Sequence, residues 1–79
     1  MTQYVATFHT HFAALCTHRA LTGAGVSATL APVPRALSSS CGTCVMYAAD
    51  DPRLALMHQD CEQVAIERAD GVYQKVALL

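Results

Sequence analysis

Apolar and polar positions change rhythm several times along the chain, and those changes divide it into elements. YVATF (4–8) alternates aromatic, β-branched and small residues, the composition and period of a strand. HTHFAALCTHRALTGAG (9–25) abandons the alternation and fills with Ala and Leu, which predicts a helix. Thr10 is its candidate N-cap, and Gly23 or Gly25 ends it. Phe12, Leu15 and Leu21 are its candidate core positions, although His18 and Arg19 interrupt any single apolar face. VSATLAPV (26–33) predicts a second strand, closed by Pro32 and Pro34, which cannot donate to a central ladder. TCVMYAA (43–49) predicts a third.

DDPRLALMHQDCEQ (50–63) carries a helix-start signal. An Asp precedes Pro52 at a first helical position, and Leu54, Leu56 and Met57 supply apolar bulk for a short second helix. VAIERA (64–69) predicts a fourth strand. Asp70-Gly71 then marks a turn or bulge, and VYQKVAL (72–78) either doubles back as a fifth strand or extends the fourth. The order β-α-β-β-α-β predicts one α+β domain over residues 1–79. Its natural closure is a ferredoxin-like sandwich: an antiparallel sheet with both helices on one face.

Composition narrows what such a domain does. Of 79 residues, 53% are hydrophobic and only 14% charged, against roughly 25% charged in typical soluble domains. An apolar surplus on so small a body predicts a face that meets a partner, either a second copy or a larger protein. The net charge of −1, with basic residues scattered, argues against nucleic acid. No apolar run is long enough for a membrane span, and the opening MTQYVATF lacks the basic-then-apolar order of an export signal. Four cysteines without such a signal point to reactive thiols, metal ligands or buried cysteines in a reducing cytoplasm rather than to disulfides.

The chemistry concentrates in PRALSSSCGTC (34–44). With the first strand running upward, the predicted topology brings this loop to the upper edge of the sheet. His9, His11 and the start of the first helix lie there too, and the second helix returns His58, Asp60 and Cys61 to the same edge. Cys41 is therefore expected beside a helix N-terminus, whose positive end favours a thiolate, with His9 or His11 as candidate base. Ser38, Ser39, Ser40 and the Gly42 amide offer small donors around the sulfur. Cys44 is a candidate resolving thiol, or a strand residue pointing into the core. A thioredoxin-type C-x-x-C opens a helix, and this one does not. A tetrahedral zinc site from Cys41, Cys44, His9 and His11, or with Cys61 replacing a histidine, is the metal alternative. His9 and His11 are equally explained as surface polar residues. Arg35 either steers an anionic substrate or is simply solvated. Cys16 reads as apolar filler, and Cys61 either joins the reactive edge or, the preferred reading, covers the core.

The sequence also resembles a known family. A first strand ending in Phe8, the helix residues Ala14, Leu15 and Leu21, GAGV (23–26), PVPRALSSSCG (32–42) and DGVY (70–73) are similar to the selenium/sulfur (Se/S) carrier-like proteins, first grouped as a domain of unknown function. The Pro-Arg…Ser-Ser-Cys-Gly piece is the most specific. The resemblance implies that Cys41 is the functional cysteine and that Arg35 and Gly42 are its motif companions. It further implies a carrier rather than an enzyme, with no cofactor and with protein donors and acceptors of sulfur or selenium. Cys44, the histidine-rich first segment and the short second helix depart from the family's pattern. The rival readings are a Cys41–Cys44 dithiol redox module, a zinc-binding regulatory module and an oligomeric interaction domain with incidental cysteines.

Overall fold

A computed structural model describes residues 1–78. The elements are β1 (Thr2–Phe8), α1 (His11–Gly23), β2 (Ser27–Pro32), β3 (Thr43–Ala49), a single 3-10 turn (Leu54–Leu56), β4 (Cys61–Ala69) and β5 (Val72–Leu78). The fold is α+β: one helix on a five-stranded sheet of order β2-β3-β1-β4-β5, with every neighbouring pair antiparallel. The tail doubles back as a fifth strand through Asp70-Gly71, and Gly71 takes the positive φ that the tight turn requires.

The expected second helix is absent, and chain length explains why. The link from β3 to β4 must return along the sheet, about 20 Å or more for a seven-residue strand rising about 3.3 Å per residue. Residues 50–60 wound as a helix would rise only about 16 Å. The link is instead irregular, with a 3-10 turn at Leu54–Leu56 and a second turn closed by Cys61 N–H to His58 C=O at 2.9 Å. Arg53, left-handed at φ 52°, interrupts any helix begun at Pro52, and the Asp51 carboxylate accepts from both its amide and its guanidinium. The two-helix sandwich is thus corrected to one helix and a strap.

Helix α1 starts and stops as its sequence dictates. The Thr10 hydroxyl accepts from the Ala13 amide. At the other end Val26 N–H donates to Leu21 C=O at 2.9 Å and Gly25 N–H to Thr22 C=O at 3.1 Å, a Schellman closure with Gly25 at φ 82°. The buried helix residues are Ala13, Ala14, Thr17 and Leu21. Small alanines let the helix sit close on the sheet, and at about 100° per residue that register turns Phe12 away and leaves Leu15 half-buried. Phe12 is accordingly 67% exposed rather than core, while Leu21 is fully buried as expected. The Thr17 hydroxyl accepts from the His58 amide at 2.9 Å and ties the strap to the helix.

Two apolar clusters lie on opposite faces of the sheet. The helix-side cluster contains Tyr4, Ala6, Phe8, Val45, Tyr47, Val64 and Cys61. The far-side cluster contains Val5, Cys44, Ala65 and Leu37, the last supplied by the loop between β2 and β3. That loop is therefore no free hairpin tip: Leu37 folds it back over the far face.

The pairing of β4 with β1 is irregular at its start. β4 pairs with β1 through Thr7↔Gln63 and then Phe8↔Cys61, so Glu62 is an extra residue in a β-bulge. In a regular strand residues 61 and 63 would share a face. Here Cys61 joins the helix-side core while Gln63, beside Ala65, lies toward the far side.

Candidate functional site

Four segments meet at the upper edge: the end of β1, the first turn of α1, residues 38–43 and the start of β4. Serine side chains supply most of the fastening. The Ser39 hydroxyl donates to Phe8 C=O at 3.0 Å, and the Cys41 amide donates back to that hydroxyl at 3.4 Å. The Ser40 hydroxyl donates to the Glu62 carboxylate at 2.7 Å, reinforced by the Ser40 amide at 3.4 Å. The Gln63 side-chain amide donates to Ser38 C=O at 3.1 Å. Gly42 adopts φ 76°, and its carbonyl accepts from the Val33 amide, which closes the loop at its base.

Cys41 is half-buried on the helix side of this edge and packs against the main core. Its Sγ lies 3.9 Å from Ser39 Oγ and donates to Thr43 C=O at 3.5 Å. The described surface contains no pocket.

The expected histidines both reach this edge, by different routes. His11 Nδ1 lies 3.2 Å from Thr43 Oγ1, which links the first residue of the helix to the strand that leaves the loop. His9, largely exposed, lies 3.3 Å from Glu62 Oε2 and 3.5 Å from Ser40 Oγ. His58 and Asp60 return to the same edge as expected: the His9 amide donates to Asp60 C=O at 3.0 Å. Arg35 is exposed and enters no ion pair among the described residues.

Cys44 belongs elsewhere. It is fully buried in the far-side cluster, with Sγ donating to Pro32 C=O. The sheet therefore separates the two sulfurs of the C-x-x-C. Burial pushes the Cys44 thiol up to about 11, with the nearby Cys41 adding to the effect. Cys61 is also buried and also raised to about 11, by burial first, against a lowering hydrogen bond to Gln63 C=O. Cys16 is half-buried rather than core filler. All four thiols are free. Among the described residues no three His, Cys, Asp or Glu side chains gather as metal ligands, and the zinc set of Cys41, Cys44, His9 and His11 is split by the sheet.

Sequence reasoning missed Glu62, the residue around which the edge is organised. Its partial burial alone would raise the carboxyl. Hydrogen bonds from the Ser40 hydroxyl and amide and from Ser39, together with the His9 charge, outweigh that and hold it below the usual glutamate range. The signal available was its place beside Cys61, already assigned to this edge. The expected helix over 50–63 concealed the bulge that aims it. Thr43 and Gln63 were missed for the same reason: their roles depend on strand register.

Comparison with known proteins adds one match. The family described as "Putative Se/S carrier protein-like" matches residues 3–69, which includes the whole of PVPRALSSSCG and stops before DGVY. No curated protein and no solved structure matches the chain.

Proposed function

Because the chain belongs to the Se/S carrier protein-like family, we propose that it carries sulfane sulfur or selenium on Cys41 between a donor and an acceptor protein. The observation that carries this reading is the one half-buried thiol on the fastened edge, with the small hydroxyl of Ser39 beside it.

The reaction is a thiol exchange. The Cys41 thiolate attacks the outer sulfur of a donor persulfide, the Cys41–S bond forms, and the donor's S–S bond breaks with its cysteine leaving as thiolate. No net oxidation occurs, because the sulfane sulfur keeps its state. Selenium travels the same way as Cys41–S–SeH. On this reading His11 and His9, which reach the same edge, serve as candidate proton acceptors, and Ser39 stands beside the sulfur. Arg35 and Gly42 act as motif companions, the first steering anionic groups and the second shaping the loop. A free thiol of this kind persists in a reducing compartment, which makes the cytoplasm part of the same proposal.

Incubation with a cysteine desulfurase and cysteine tests it by intact mass. The protein is expected to gain one sulfur atom that Cys41→Ser does not gain, and absence of any gain defeats the reading. The Cys41–Cys44 redox alternative has less support, since the two sulfurs sit on opposite faces.

A further inference from the structure

We propose that Cys61, not Cys44, is the thiol that resolves a loaded Cys41; the inference rests on the carrier reading. Three observations bring the two residues to one edge and one face of the sheet. Cys41 packs against the helix-side cluster of which Cys61 is a member. Their chain neighbours are bonded directly, Ser40 to Glu62 at 2.7 Å. Phe8 joins both, as the strand partner of Cys61 and as acceptor of the Ser39 hydroxyl.

The bulge at Glu62 makes this arrangement. Without the extra residue Cys61 would share the far face with Gln63 and Cys44, behind the sheet from Cys41. With it, Cys61 faces the same side as the carrier thiol. Cys61 is 2% exposed, so external thiols and oxidants have little access to it, whereas Cys41 borders its own core. Loop 33–42 is fastened to β4 by side-chain hydrogen bonds from Ser40 to Glu62 and from Gln63 to Ser38.

The Cys61 sulfur attacks the inner sulfur of Cys41–S–SH, a Cys41–Cys61 disulfide forms, and hydrosulfide leaves with the proton from Cys61. Two thiol sulfurs are oxidised by one electron each, and the sulfane sulfur is reduced by two to sulfide. A selenium-loaded protein releases hydroselenide by the same route. An external dithiol then reduces the disulfide and restores the carrier. The protein would thus deliver its cargo either whole to an acceptor or, in the absence of one, as the fully reduced anion.

Two measurements test this. The first is oxidation of the reduced protein by diamide followed by non-reducing peptide mapping. A Cys41–Cys61 link that persists in Cys44→Ser supports the inference; a Cys41–Cys44 link, or only links between chains, overturns it. The second is loading with inorganic polysulfide, then measurement of sulfide release with bound sulfur followed by mass. Cys61→Ala, checked for its fold by circular dichroism, is expected to retain its persulfide with release roughly tenfold or more slower than the parent. Equal release from both overturns the inference while leaving the carrier reading intact. Failure of Cys41 to load defeats the carrier reading itself, and the diamide map still decides the pairing.

Discussion

Selective alkylation separates the thiols that this fold exposes from those it seals. At pH 8 a thiol of ordinary pKa, about 8.5, is roughly one quarter ionised. Cys44, pushed up to about 11 by burial, is ionised to about one part in a thousand at that pH. Because the thiolate is the nucleophile, folding alone slows iodoacetamide at Cys44 by about two hundredfold, before its inaccessibility is counted. Cys61, raised equally and 2% exposed, follows the same arithmetic. The assay compares rates in native and fully denatured protein, resolved by peptide mapping. Native Cys41 is expected to label ahead of both Cys44 and Cys61, each of which is protected by two orders of magnitude or more relative to the denatured chain. Protection of Cys44 by less than tenfold would refute the reasoning, because it would place that thiol outside the sealed far-side cluster.

Three further outcomes follow from the packing. Glu62→Gln should flatten the acid limb of stability: a carboxyl held low in the fold contributes fully above the unfolded value near about 4.3 and loses that contribution as pH falls through its folded value. Thermal melts from pH 7 downward check this, and an unchanged acid limb contradicts the Ser40–Glu62 fastening. Thr7→Val should raise stability by about 1 kcal/mol in urea titration, because the Thr7 hydroxyl is buried with no partner among the described residues; a loss would reveal an unseen partner. Leu21→Ala should cost about 2–5 kcal/mol, since Leu21 is fully buried and anchors both the helix face and the Schellman closure.

Much of this architecture was legible in local sequence, and the failures share one cause. The Thr10 cap, the glycine closure of α1, β3 at 43–49 and the Asp70-Gly71 reversal are set by residues adjacent in the chain, and each forms where expected. The second helix failed because the decisive quantity was a distance to be spanned, not a propensity. Phe12 failed because two small alanines, rather than the largest apolar residue, decide which side of α1 meets the sheet. At the site, topology alone carried the loop, His9, His11 and Cys61 to one edge. It could not show that Cys44 lies behind the sheet or that Glu62 is aimed by a bulge. Both facts depend on strand parity, and one extra residue reverses parity without leaving a mark in composition.

Site-resolved mapping of transferred sulfur tests the central claim most directly. After incubation of the unmodified protein with a persulfide-loaded desulfurase, brief alkylation and tandem mass spectrometry locate the added atom among Cys16, Cys41, Cys44 and Cys61. A persulfide is expected on the peptide containing Cys41, with none on Cys44 or Cys61. Sulfur distributed evenly over the four, or concentrated on Cys44, would contradict it.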